Sequence, residues 1–197
     1  MACSTPAESQ QPRAKKNLDG LSKAYFASGC FWCVEAIFQS VEGVEEAISG
    51  YSGGKIKNPT YRLVSSGATR HAEAVEVYYD PEKVSFETLL VVFFGSHDPT
   101  TPNRQGPDRG PQYRSAVFYQ NDSEKASTEK YIAEIKGNYE NPIVTEVSPF
   151  TIFYEAEAYH QEYEALNPNQ PYVRSVSIPR LNAFKSKYPD LLKKDAH

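Results

Sequence analysis

Beyond Met1 the sequence has no methionine, and it has only three cysteines, Cys3, Cys30 and Cys33. A chain almost free of thioethers offers oxidants little to convert to sulfoxide, which suits a protein working among them. So few cysteines exclude the disulfide framework of a small secreted domain, and a reducing compartment fits better. No apolar run reaches the length needed to cross a membrane. No basic stripe is present, and the net charge is −4, which excludes nucleic acid as a partner. The first 20 residues lack the apolar centre of a secretory signal, and their acidic residues and few arginines argue against a transit peptide. The expectation is a cytoplasmic monomer without a membrane partner, an organelle form with a trimmed transit peptide being the alternative.

Residues 1–20, rich in Ser, Pro, Gln, Ala and Lys, read as a disordered N-terminal arm. Residues 21–197 have the length and apolar content of a single catalytic domain, ending in a coil-rich tail. No internal repeat is visible.

The chemistry concentrates in Gly29-Cys30-Phe31-Trp32-Cys33-Val34-Glu35. The apolar run Ala24 to Ala27 before it reads as a strand. Trp32, Ile37, Phe38 and Val41 after it have helical spacing. Cys30 therefore belongs at a strand-to-helix junction, where free backbone N–H groups and the positive helix end favour a thiolate. Gly29 permits an unusual backbone turn and keeps bulk off the sulfur. A buried structural cysteine and half of a zinc site are the plainer alternatives. Zinc wants four ligands, and the four histidines are scattered singly.

In chain order, Gly43 stops the first helix, Val44 to Tyr51 reads as a strand, and Lys55 to Arg70 reads as a long polar loop. His71 to Tyr79 alternates as a strand, and Ser85 caps a helix over Phe86 to Phe94. His97 to Pro111 reads as irregular, Tyr113 to Tyr119 as a strand, and Ser123 to Asn138 as a helix. Strand material follows over Ile143 to Tyr154, then a short helix over Glu155 to Leu166. Asn167 to His197 holds four prolines and only a modest helix near Leu181 to Lys187. Strand-helix-strand-strand-helix-strand is the split βαβ order of ferredoxin-like folds. The fold class is thus α+β: a ferredoxin-like two-layer sandwich with an extra strand and helix and a long, mostly irregular C-terminal segment.

Several polar residues are candidates to meet Cys30. Glu73 shares a strand face with Val75, so a buried face would desolvate its carboxyl and keep it protonated near neutrality. An exposed face, with Glu76 as a parallel, is the equal alternative. Tyr61 and Tyr113 are phenols able to donate hydrogen bonds. Asp108 reads by pattern as a turn residue and His160 as a structural histidine.

With those residues in place, the sequence resembles the A-type peptide methionine sulfoxide reductases. The similarity rests on Gly29-Cys30-Phe31-Trp32, Gly50-Tyr51-Ser52-Gly53-Gly54, Asn58-Pro59-Thr60-Tyr61, His71-Ala72-Glu73-Ala74-Val75, Gly106 to Ser115, and Tyr159-His160-Gln161, in that order. The resemblance implies Cys30 as nucleophile, Phe31 and Trp32 around the substrate's S-methyl group, and Glu73 as the acid on the sulfoxide oxygen. It implies Tyr61 and Tyr113 as hydrogen-bond donors to that oxygen, Asp108 as an ordering carboxylate, and His160 close to the substrate. The implied substrate is methionine S-sulfoxide, free or in proteins. No metal or organic cofactor is implied. Electrons come from thioredoxin, from glutathione with glutaredoxin, or from dithiothreitol. Arg70 stands where the family usually has glycine, and Pro107 and Pro111 stand where Asn and Thr are common. No cysteine follows Cys33, so Cys33 is the expected resolving residue. A non-enzymatic redox sensor and a general disulfide oxidoreductase built on Cys30 and Cys33 are the alternatives.

Overall fold

A computed structural model describes residues 16–194. Cys3 and most of the expected arm lie outside them. Strand β1 (Ser22–Ser28) leads into helix α1 (Phe31–Gln39), followed by β2 (Val44–Ser52), helix α2 (Tyr61–Ser65) and β3 (Ala72–Tyr79). Helix α3 (Phe86–Gly95) is capped by Ser85, whose hydroxyl accepts the Thr88 N–H at 3.1 Å. A two-stranded ribbon, β4 (Arg104–Gln105) and β5 (Asp108–Arg109), and a 3-10 turn (Pro111–Tyr113) precede β6 (Ser115–Tyr119). Then come α4 (Asp122–Ile135), β7 (Glu146–Pro149), β8 (Phe153–Glu155), α5 (Tyr163–Leu166) and α6 (Ile178–Lys187).

The main sheet has the order β7-β6-β1-β3-β2-β8. Its four inner strands pair antiparallel, which is the ferredoxin-like arrangement expected from the element order. β7 adds to β6 in parallel and β8 to β2 antiparallel, extending both edges. Period-two alternation sorts the strand residues onto two faces. On one face Phe26 stacks against Phe38 of α1 at 5.0 Å and Phe93 of α3 at 5.2 Å, so both helices bury their apolar sides there. On the other, Tyr25, Ala27, Ala72, Ala74, Ala116 and Phe118 are covered by Phe150 and Phe153, with Tyr25 stacked on Phe150 at 3.8 Å. A covering made of two aromatics, Phe150 from a loop and Phe153 from β8, is thin, and alanines let it approach the sheet.

Several expectations change. Both faces of β3 are buried, so Glu76 is not an exposed counterpart of Glu73. It is 9% exposed and accepts from Tyr25 Oη at 2.7 Å and Lys23 Nζ at 3.1 Å. The loop over Lys55 to Arg70 contains α2, and the irregular stretch before Pro111 contains the β4–β5 ribbon. Tyr113 closes the 3-10 turn and does not begin a strand. Arg70 has φ 60, a left-handed backbone in which glycine is the low-strain residue. The C-terminal segment is more regular than its prolines suggested. A π-helical stretch (Val173–Ser177) runs directly into α6, and a 3-10 turn (Pro189–Leu191) follows. The wide turn precedes Pro179, whose ring and missing N–H forbid a regular α-turn back to Ser175. The segment then ties onto the end of α1, with Lys193 N–H donating to Ser40 C=O at 2.9 Å and Glu42 N–H to Leu191 C=O at 2.8 Å.

Candidate active site

The central strand β1 delivers Cys30 to the N-cap of α1. The turn between them depends on Gly29, at φ 92. A Cβ there would come within 2.7 Å of the Gln105 side chain from the β4–β5 ribbon. Gly29→Ala therefore combines left-handed strain of about 1–2 kcal/mol with a clash against a neighbouring loop. The expected result is a loss of at least that stability in urea unfolding, together with impaired reactivity at Cys30. An unchanged midpoint would show that the junction relaxes freely.

Cys30 is 7% exposed and Cys33, one turn along α1, is 1% exposed, and neither is in a disulfide. Burial pushes the Cys30 thiol up, and the neighbouring Cys33 adds to this. Around Cys33, Cys30, the Arg180 charge and the Ser177 and Tyr172 hydroxyls favour an anion. The two sulfurs titrate as one coupled pair, in which burial opposes charge and these neighbours favour it.

Glu73 reaches the same place from β3. It is 1% exposed, and its Oε2 accepts the Phe31 backbone N–H at 3.1 Å. Burial raises its pKa to about 8, so near neutrality it holds a proton. The contrast with Glu76 is one of partners, because Lys23 sits beside Glu76 while no cation pairs with Glu73 among the described residues. The Tyr61 phenol, on the first residue of α2, is raised to about 12 by burial and by Glu73 and Cys30; Tyr113 is raised higher for the same reasons. Neither phenol donates to any described residue, so both O–H groups are free for an incoming oxygen. Asp108, on β5, is pushed up by burial and accepts from Tyr172 Oη at 2.6 Å; that phenol also lies 4.0 Å from Cys33 Sγ.

The apolar wall starts with Phe31, whose ring lies against Tyr51, Tyr61 and His160. Trp32 stacks on Tyr163 at 3.7 Å and donates its indole N–H to His160 Nδ1 at 3.1 Å. Burial lowers His160 to about 4, so its ring stays neutral and Nδ1 remains an acceptor. His160 therefore fixes Trp32 in addition to lining the site. Glu157 accepts from Tyr51 Oη at 2.8 Å and from the Tyr61 backbone N–H at 2.9 Å, which anchors the start of α2.

Every residue expected from the sequence thus gathers at the end of β1. Tyr172, Ser177, Arg180 and Glu157 were not expected. Tyr172 is one of 14 tyrosines, and Ser177 and Arg180 sit in a stretch read as mostly coil, so composition carried no signal for them. Among the described residues no group of three or more His, Cys, Asp or Glu is placed to hold a metal ion. The arrangement offers a nucleophilic sulfur with a second thiol behind it, a protonated carboxyl, two free phenols and an aromatic wall.

Comparison with known proteins agrees with this chemistry. The family model for peptide methionine sulfoxide reductase matches residues 22–192. The peptide methionine sulfoxide reductase MsrA 1 of Rhodopirellula baltica is 49% identical over 178 residues, covering 90% of this chain and 93% of its own. Among solved structures, methionine sulfoxide reductase A of Corynebacterium diphtheriae has a TM-score of 0.70 at 36% identity, covering 76% of each chain. The reduced form of Mxr1 from Saccharomyces cerevisiae has a TM-score of 0.69 at 35% identity, covering 76% of this chain and 87% of its own.

Proposed function

The chain belongs to the peptide methionine sulfoxide reductase family, and we propose that it carries out the family's reaction with Cys30 as nucleophile, Glu73 as acid and Cys33 as resolving thiol. It is an enzyme that reduces methionine sulfoxide to methionine in a thiol-dependent reaction. The observation that carries the assignment of roles is the meeting of a buried, proton-bearing Glu73 with the Cys30–Cys33 pair at the mouth of α1. A general disulfide oxidoreductase or a sensor has no use for that acid or for the two free phenols.

The substrate is the S epimer, free or in a peptide. Its methyl group rests on Phe31 and Trp32, and its oxygen accepts from Tyr61 and Tyr113. The Cys30 thiolate attacks the substrate sulfur, forming an S–S bond, while Glu73 protonates the oxygen. The substrate S–O bond breaks as that oxygen bonds to the Cys30 sulfur, the S–S bond breaks, and methionine leaves. The site then holds Cys30 sulfenic acid, the Cys33 thiol and ionised Glu73. Cys33 next attacks the sulfenic sulfur, its proton leaves with the hydroxyl as water, and a Cys30–Cys33 disulfide remains. Residues three apart in a helix have Cβ atoms about 5–6 Å apart, and a small unwinding of the first turn brings them to disulfide geometry. A dithiol donor returns two electrons and two protons. One proton then moves to Glu73, which restores the starting state.

The donor is thioredoxin, with glutathione and glutaredoxin as the other source, and dithiothreitol serves in vitro. The working form is a monomer in the cytoplasm. No helix among the described residues is long and apolar enough to cross a membrane.

Two measurements test the proposal. With racemic methionine sulfoxide and dithiothreitol, one epimer is consumed; loss of neither overturns the assignment. In a background lacking Cys3, Cys33→Ser keeps one turnover per protein, accumulates a sulfenate trapped by dimedone and loses thioredoxin-driven cycling. Unimpaired cycling in that variant rules out Cys33 as the resolving residue.

A further inference from the structure

Helix α1 and the segment leading into α5 hold each other at two places. One is aromatic: Trp32 stacks on Tyr163 and donates its indole N–H to His160. The other is polar and buried. Glu35, on α1 one turn beyond Trp32, is 1% exposed. Its carboxylate accepts the Glu162 backbone N–H at 2.7 Å, Gln39 Nε2 at 3.2 Å and the Ser49 hydroxyl of β2. Glu162 stands between the two partners of Trp32, with Tyr163 directly after it and His160 shortly before. It is the N-cap of α5, so its N–H is one of the donors that a helix start leaves without a helical partner.

The backbone of Glu162 needs such a contact. Its φ is 53, a left-handed conformation that strains any residue with a side chain and persists only when the surroundings impose it. The sheet supplies part of the restraint. β8 ends at Glu155, and the Ala156 N–H donates to Ser49 C=O at 2.9 Å before the chain leaves the sheet. The buried Gln161 side chain then takes the place of a strand residue. Its Oε1 accepts the Ser49 N–H at 2.9 Å, and its Nε2 donates to Ser49 C=O at 2.9 Å and to Ala156 C=O at 3.1 Å. Gln161 thus ties the segment to β2. Glu35 ties it to α1, the helix that carries Trp32 and begins at Cys30.

We propose that Glu35 is a positioning residue for the aromatic wall of the site: by accepting the Glu162 N–H it sets His160 and Tyr163 against Trp32, and so fixes the ring that meets the substrate's S-methyl group. Without that acceptor a buried N–H loses its partner, the left-handed turn relaxes, and the two residues beside Trp32 move off it together. The effect on substrate rests on Trp32 receiving the methyl group; the anchoring of the segment does not.

Trp32 is the only tryptophan of the chain, so its fluorescence reads this wall directly. The test compares Glu35→Leu, which has no acceptor, with Glu35→Gln in the full-length enzyme. The amide oxygen of Glu35→Gln still accepts the Glu162 N–H, and the Ser49 hydroxyl turns to accept from the amide NH₂. In Glu35→Leu the Trp32 emission moves to longer wavelength and acrylamide quenches it more strongly, while Glu35→Gln stays close to the parent. In single-turnover reactions followed by methionine formation, Glu35→Leu raises the half-saturating sulfoxide concentration by at least about ten-fold, the scale of one methylene-sized contact in an apolar pocket. The limiting rate, set at Cys30 and Glu73, changes much less, the pattern of lost uniform binding. A carboxylate that serves stability alone lowers the urea midpoint and leaves emission, quenching and half-saturation of the folded enzyme unmoved; that result overturns the inference. An equal shift in Glu35→Gln overturns it too. Should Glu35→Leu not fold, hydrogen exchange at the Glu162 amide decides: exchange as fast as in an open chain overturns the anchor, and protection in both the parent and Glu35→Gln upholds it. An emission shift with unchanged half-saturation removes Trp32 from the methyl group and leaves the anchoring standing.

Discussion

Cys30→Ser is expected to abolish sulfoxide reduction, with a loss on the order of 10⁶-fold, the scale at which removal of a nucleophile is felt elsewhere. A serine hydroxyl fits the N-cap of α1 and leaves the helix intact, so the loss is chemical. Its oxygen is not ionised near neutrality and does not attack the sulfoxide sulfur. Cys33 does not substitute, because it is 1% exposed and turned toward Tyr172 and Ser177 rather than toward the mouth of the site. Methionine formation is followed by chromatography, with intact mass confirming the variant. Residual turnover above a small fraction of the parent's would end the assignment of Cys30.

Glu73→Gln is expected to slow the chemical step by about 10²–10⁴-fold, the usual contribution of a general acid. The amide keeps the volume and still accepts the Phe31 N–H, so folding is nearly preserved. The pH profile separates this role from a structural one. A general acid with a pKa of about 8 is competent below that value and fails as pH rises through it. Single-turnover sulfenate formation in the parent should therefore fall as pH rises through about 8. In Glu73→Gln that alkaline limb disappears. A rate equal to the parent's, or an alkaline limb that survives the substitution, would assign the proton to another group.

The site was legible where its signals are local. Gly29 and Cys30 stand between an apolar strand and a helical pattern, and the structure places them at that junction with the glycine at φ 92. Glu73 was legible because a strand alternates strictly, so sharing a face with Val75 fixed its direction. The fate of that face was not legible, since burial on both sides of β3 depends on helices and loop aromatics far along the chain. The same limit applies to the neighbours of Cys33. A helix end is local and was read, whereas Tyr172, Ser177 and Arg180 arrive from about 140 residues away by packing. The prolines of the C-terminal segment mark turns by pattern, yet Pro179 sits in the first turn of α6, where proline is tolerated.

The fastening of the C-terminal segment onto α1 also gives the molecule an order of manufacture. Domains form from the N-terminus as the chain leaves the ribosome. The strand leading to Cys30 and its first sheet partners are made well before Tyr172 and Arg180, and the bonds from Leu191 and Lys193 to α1 form after these. The cysteine pair therefore meets its full set of neighbours only once the C-terminal segment has docked on α1.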